Sequence, residues 1–349
     1  MPRALSFLDV AINSGREVIG SSSLSFDPAR ERYPSWAHLP YITDAKFADA
    51  LRHLVASSGI TEIFSPHPVV WNHIQNHCLN DLPGVVLVNE SPVTDDVAPF
   101  HKALAFANKV QRSTLPMAWG LTPVDSADAI ELAALFRHAE AIPGMCDHEK
   151  IGVLCDIFRC SPAGDVVEIG SWWGKSAFVL AQLAKVHQLG STLCVDPWTN
   201  EHLAKSDGTG LVDAVPFNAD EAFTVFQINM VPYANGTVNY LRLPSTDAAL
   251  RYRDSRTVVS PHFGTTQYTG RIAILHIDGN HSYESVQADV KAWQDFVVPG
   301  GWIVIDDYIW AFGDGPKRVG DEFIAAHSHF INTCFVASGN LYVNLTSDI

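Results

Sequence analysis

The stretch VVEIGSWWGKSA, residues 166–177, decides the fold. An apolar run closing on Glu168 meets a turn carrying Gly170 and Gly174, and a helix-forming run begins at Lys175. Strand, glycine turn and helix open a parallel α/β sheet, whose ligands bind where the strands end. Glycines let the backbone approach such a ligand closely. Gly170, Ser171, Trp172, Gly174 and Ser176 are therefore candidate contacts, with Trp172 and Trp173 shaping the pocket. Glu168 can accept from an ammonium group. Further on, CVDPW closes a second strand at Asp196, placed to grip two ribose hydroxyls. GSWWGKS also has the look of a phosphate-binding loop. Three residues separate its glycines where that loop has four, and two tryptophans would crowd the amides that cradle phosphates. Other dinucleotide-binding enzymes share this kind of turn.

Moving outward, AILHIDGNHSYESVQADVKAWQDFVVPGG (273–301) and WIVIDDY (302–308) hold two more apolar strands. Asp278 ends the first, and Asp306 and Asp307 end the second. Neighbouring strands would bring all three carboxylates to one crevice, where like charges are costly without a cation. Oxygen donors suit a hard ion such as Mg²⁺; helix capping is the plainer use of one or two of them. An alcohol's pKa lies far above neutrality. A metal that acidifies a hydroxyl, with His281 as base, would let it react at physiological pH. His281 could instead serve as a turn residue, and His276, inside the strand, reads as core. Tyr308, Trp310 and Phe312 follow in a loop with Gly313 and Gly315, either to stack on a ring or to pack as a lid. In LPSTDA, Ser245 and Asp247 stand after the third strand, where they could contact an adenine or cap a helix.

The E-x-G-x-x-x-G turn with its second acid resembles class I S-adenosylmethionine-dependent methyltransferases. IDG-x-H-x-Y…PGG…DD is similar to the metal-dependent O-methyltransferases of sugars and natural products, a family that includes macrolide-sugar and aminocoumarin-sugar enzymes. The resemblance spans about residues 140–349. It implies S-adenosylmethionine as cofactor, a divalent metal (Mg²⁺) on Asp278, Asp306 and Asp307, and a small-molecule acceptor with neighbouring hydroxyls. Asn280 stands where some relatives carry a second acid; His281, one place on, matches the histidine taken as base in the macrolide-sugar enzymes. The expected activity is methyl transfer to a hydroxyl of a sugar or other diol. Catechol-type phenols, a metal-dependent hydroxylase on the same fold, and a catalytically dead scaffold are the rivals. A Rossmann-like, mostly parallel sheet closed by an antiparallel hairpin (330–336 and 341–345 around Ser338-Gly339-Asn340) is the expected architecture.

Residues 1–115 read as a smaller α/β domain, in the order helix 4–13, strand 17–20, helix 44–58, strand 62–65, helix 69–77 and strand 84–88. SGREVIGSSS followed by ITDAKFADALRHLVASSGITEIFSP resembles the domain that precedes ATP-grasp domains in ligases, though the glycine-rich opening strand is missing. Residues 116–158 read as a helical connector and 159–349 as the methyltransferase domain.

Composition narrows the class. With 47% hydrophobic and 17% charged residues the chain of 349 is globular. A net charge of −15, from 38 acidic and 23 basic residues, argues against a nucleic-acid partner. Six scattered cysteines without CxxC spacing read as reduced thiols. No apolar run is long enough for a membrane span, and the first residues are too polar for a secretory signal. The expectation is a soluble cytoplasmic protein, with a homo-oligomer compatible with it.

Overall fold

The computed structural model describes residues 2–203 and 218–346. The chain divides into two compact units, Met1–His101 and Lys102–Ile349.

The first unit holds α1 (Pro2–Asn13), β1 (Ile19–Ser22), β2 (Ser35–His38), α2 (Phe47–Ser58), β3 (Glu62–Ile63), α3 (Pro68–His73), β4 (Val86–Leu87) and the start of α4 (Pro92–Gln111). Its strands form two separate parallel pairs, β1 with β2 and β3 with β4. A small core of Leu39, Phe47, Leu51, Ile74, Cys78, Leu82 and Val85 sits among them.

The second unit continues with α5 (Leu115–Ala118), α6 (Ala129–Ala141), α7 (His148–Phe158), β5 (Asp165–Ile169), α8 (Lys175–Val186), β6 (Thr192–Val195), α9 (Asn200–Leu203), α10 (Ala219–Met230) and β7 (Val238–Leu241). Then come α11 (Ser245–Asp254), β8 (Thr257–Ser260), β9 (Gly264–Gln267), β10 (Ile272–Ile277), α12 (Tyr283–Trp293), β11 (Val297–Ile305), α13 (Gly315–His327), β12 (Ile331–Ala337) and β13 (Asn340–Leu345). Seven strands make one sheet in the order β12-β13-β11-β10-β5-β6-β7. The four pairings from β11 to β7 are parallel, while β13 pairs antiparallel with both β11 and β12.

Strand side chains alternate between the two faces, and each face is covered by helices. Val166, Cys194, Ile274, Trp302 and Val304 join a core with residues of α4, α6, α7, α8 and α10. Val167, Leu193, Leu275, Ile303 and Val343 join another with residues of α11, α12 and α13. Strands β5, β6, β10 and β13 are buried along their whole length. Each fully buried Val, Leu or Ile contributes roughly 1.5–3 kcal/mol, which is why continuous apolar runs become central strands.

The chain steps outward from β5 to β6 and β7, then crosses back to β10, so the strand order reverses between β5 and β10. Ligand crevices open at that switch point. Backbone bonds extend each ladder one residue past the strands: Asp196 N–H to Leu241 C=O, Gly170 N–H to Val195 C=O, Asp278 N–H to Ile169 C=O, and Asp306 N–H to Ile277 C=O. Asp196, Gly170, Asp278 and Asp306 therefore stand in a row along the carboxyl edge.

The architecture is the expected one, with differences at the margins. Strand β2 and the β8–β9 hairpin were not anticipated. SWAH has no fully buried position, and TVVS and GTTQ are half exposed, so neither shows a clear apolar period. Strand β11 starts at Val297 rather than Trp302, because its VVPGG part pairs with β10 through a register shift. Among the described residues, no helix is long and apolar enough to cross a membrane.

Candidate active site

The turn after β5 is built around Gly170, whose φ is +86°. A Cβ there would stand 2.0 Å from the Asp278 carbonyl oxygen, so only glycine lets β5 and β10 close against each other. Asp196 braces the turn from β6: its Oδ2 accepts from Trp172 N–H at 3.0 Å and its Oδ1 from Trp198 N–H at 2.7 Å. Trp198 Nε1–H in turn donates to the Trp172 carbonyl at 2.9 Å. Trp172 and Trp198 both have positive φ, 45° and 41°. Trp198 is wholly buried, packed on Phe223 and Phe226. The two loops that flank the cofactor crevice are thus clamped together by an acid and an indole. Ser171 and Ser176 are buried, Trp172 and Trp173 half-buried.

Glu168 has no exposed surface. Its Oε1 lies 3.1 Å from His276 Nδ1, while its Oε2 has no hydrogen-bond partner among the described residues. A buried carboxylate oxygen without a donor is uncommon, and it fits the polar end of a bound ligand such as S-adenosylmethionine. With the glycine turn and the Asp196 brace, the residues present suit that cofactor.

East of this turn, toward β11, lies an ionic cluster that the sequence revealed only in part. Lys150, two residues into α7, is 3% exposed at its side chain, with Nζ 2.5 Å from Asp306 Oδ1 and 3.7 Å from Asp278 Oδ2. His276 bridges Glu168 to Asp306, its Nε2 standing 3.9 Å from Asp306 Oδ1, too long for a hydrogen bond. His281 Nε2 is 3.6 Å from Asp278 Oδ1, and its Nδ1 is 3.3 Å from Asp307 Oδ2. Asp307 has φ +51°, and its backbone N–H donates to Asn340 Oδ1 at 3.2 Å.

The charges decide one another. Burial pulls the Lys150 ammonium toward neutrality, but the Asp306 and Asp278 carboxylates outweigh it and hold its pKa well above the ordinary lysine range. Burial alone would raise Asp306; Lys150 and His276 reverse that and hold it well below the usual carboxylate range. Burial and Lys150 both press His276 downward, yet the Asp306 and Glu168 contacts prevail and raise it. Cys146 packs nearby, and burial pushes its thiol up to about 12, leaving it neutral and unreactive.

Ligand atoms of His276, Asp278 and Asp306 lie within 4.8 Å of one another, a spacing one metal ion could span. Both Asp278 oxygens stand beyond hydrogen-bond distance from their neighbours, Oδ2 at 3.7 Å from Lys150 Nζ and Oδ1 at 3.6 Å from His281 Nε2. The Asp278 side chain is 22% exposed and that of Asp307 35%. These oxygens fit a hard divalent ion; Lys150 already fills one side of Asp306.

His281 is nearly buried, under the edge of Trp310, whose ring centroid is 4.8 Å away. Gly315 holds that loop down: a Cβ there would meet the His281 carbonyl oxygen at 2.2 Å. Tyr308 turns instead to α13, where its hydroxyl donates to Asp321 at 2.5 Å, and Phe312 packs on Trp310. Ser245 opens α11 and its hydroxyl accepts from Trp293 Nε1–H at 3.0 Å; Asp247 is exposed on the same turn. Neither side chain caps the helix.

Lys150 and His276 are the residues sequence reasoning missed as members of the site. Each left a faint signal: a lysine opening the otherwise apolar KIGVLCDIF, and a histidine inside AILHI.

A sheet of this order with a cofactor turn at its switch point defines a class I S-adenosylmethionine-dependent methyltransferase fold. Comparison with known proteins agrees: the family model described as "Methyltransferase domain" matches residues 167–308. The chain therefore carries a methyltransferase domain. No curated protein matches the chain. Among solved structures it is similar to the O-methyltransferase NovP, with 16% identity over 72% of this chain and 99% of that one and a TM-score of 0.39. The calicheamicin methyltransferase CalS11 has 14% identity over 74% of this chain and 94% of its own, with a TM-score of 0.39. MycE, a mycinamycin-pathway methyltransferase solved with Mg and S-adenosylhomocysteine, has 17% identity over 53% of this chain and 46% of its own, with a TM-score of 0.32.

Proposed function

We propose that the chain is a divalent-metal-dependent O-methyltransferase acting on a hydroxyl of a sugar or natural-product diol. The observation that carries this reading is the placement of His281 between Asp278 and Asp307, beside the cofactor turn at Gly170. A base, oxygen donors and the methyl-donor crevice then share one strand edge. The cleft alongside, about 360 Å³, is lined by Asp147, Lys150, Lys175, Asp306, Asp307 and Asn340 among others. Such a wall offers hydrogen bonds to a polyhydroxylated acceptor and little to an apolar one.

In this reading Asp196 holds the ribose hydroxyls and Glu168 the ammonium end of S-adenosylmethionine. A divalent ion on Asp278, Asp306 and Asp307 would lower the pKa of an acceptor hydroxyl. His281 takes the proton of the acceptor hydroxyl. Bound S-adenosylmethionine would supply the methyl group to that oxygen and leave as S-adenosylhomocysteine. Asp278 and Asp307, flanking the imidazole, stabilise the imidazolium that forms.

The test is methyl transfer to a panel of sugar and catechol acceptors, followed by mass spectrometry. EDTA should abolish turnover and Mg²⁺ or Mn²⁺ restore it. His281→Ala should retain cofactor affinity while turnover falls about 10²–10⁴-fold, as for loss of a general base. Full activity in EDTA would sink the metal requirement; full activity in the His281 variant would remove only the base assignment.

A further inference from the structure

We infer that Lys150 is a built-in rival of the divalent ion, a tethered cation that keeps the aspartate cluster formed without metal and sets how weakly the ion binds. The inference rests on the metal-dependent reading above. Asp278 and Asp306 come from adjacent strands, and Nζ lies between them, 3.7 Å from one and 2.5 Å from the other. The side chain has almost no solvent contact, so the ammonium cannot swing into water without opening the core. Its backbone is equally fixed. Asp147 caps α7 by accepting from Lys150 N–H at 2.8 Å, and its other oxygen accepts from Ser338 in the β12–β13 turn at 2.7 Å. The lysine is therefore aimed by the fold, not drawn in by chance.

Two consequences follow from charge alone. A buried carboxylate, Asp306, beside the partly covered one of Asp278 is strongly unfavourable without a cation, so Lys150 stands in for the ion in the metal-free protein. A divalent ion arriving on the same carboxylates must face the ammonium at close range, where repulsion is poorly screened. The site is thus assembled before the metal arrives, and metal affinity is lower than three aspartates alone would give.

The experiment measures Mn²⁺ binding by calorimetry and by paramagnetic resonance, with thermal melts, on the full chain and on Lys150→Met and Lys150→Arg. Lys150→Met should bind Mn²⁺ at least about tenfold more tightly, because the repelling charge is gone. Its melting temperature should climb steeply with Mn²⁺, whereas that of the unaltered protein should hardly move. Lys150→Arg, which keeps the charge, should behave like the unaltered protein. Should Lys150→Met be unfolded alone, recovery of its fold on adding Mn²⁺ supports the inference, and failure to recover overturns it. Equal Mn²⁺ affinity in all three proteins overturns this inference alone. No Mn²⁺ binding by any of them overturns the metal-dependent reading and this inference with it.

Discussion

Asp289 lies on α12, 6% exposed, beside the Ser245 hydroxyl and close to the Gly279 backbone. Burial raises its pKa to about 7, and the Ser245 hydrogen bond offsets this only in part. An unfolded aspartate titrates near about 4. The native state thus binds its proton more tightly, and this group's contribution to stability is full below about pH 4 and lost as pH climbs through about 7. Asp289→Asn should flatten that slope: urea unfolding at pH 5 and pH 8 should differ less in the variant than in the unaltered protein. An unchanged slope would mean that another group titrates. At this scale the sequence displayed Asp278, Asp306, Asp307 and His281, since acids and a histidine after apolar runs mark strand ends. It did not display Lys150 or His276 as partners of those acids. A charged side chain meets its counterion through tertiary packing, across 156 residues in the case of Lys150 and Asp306, and nothing local records that pairing.

Between residue and fold stand the loops after β5 and β6, held together by Asp196 and Trp198. Each tryptophan at positive φ costs about 1–3 kcal/mol, a strain sustained by the Asp196 hydrogen bonds and the aromatic packing of Trp198. Trp198→Phe keeps most of the ring but removes the bond to the Trp172 carbonyl. Calorimetry should then show S-adenosylmethionine binding weakened by about 0.5–1.5 kcal/mol, the ordinary worth of one hydrogen bond. Affinity unchanged in that variant would mean that the indole bond does not hold the cofactor loop. The central strands β5, β6, β10 and β11 were legible because burial on both faces demands unbroken apolar runs. The β8–β9 hairpin was not: its turn, Pro261-His262-Phe263, lacks the two-residue glycine signature, and one face of each strand meets water.

Over the whole molecule, the division at His101 cuts α4 within its length, and the part of α4 that follows is core to the second unit. Ala103, Ala107 and Val110 are buried there against α6 and the sheet. A chain of residues 102–349 should therefore fold and bind S-adenosylmethionine as the full chain does. One starting at 116, the boundary that sequence patterning suggests, should melt several degrees lower because those three side chains are missing. Calorimetry and thermal melts on both decide it; loss of binding in 102–349 would make the chain one integrated unit. The order of strands also has a bearing on biosynthesis. β13 is the last of this sheet's strands in chain order, yet it lies inside the sheet, between β11 and β12. During translation the outer edge of β11 stays bare until residues 340–345 emerge, about 40 residues after Ile305, or roughly 2–8 s at typical elongation rates. Asp307 receives its Asn340 partner, and Ile309 its bond to Gly339, only then. For that interval a nascent chain exposes an open, apolar strand edge beside an unfinished acidic pocket, the kind of edge on which another strand can wrongly pair.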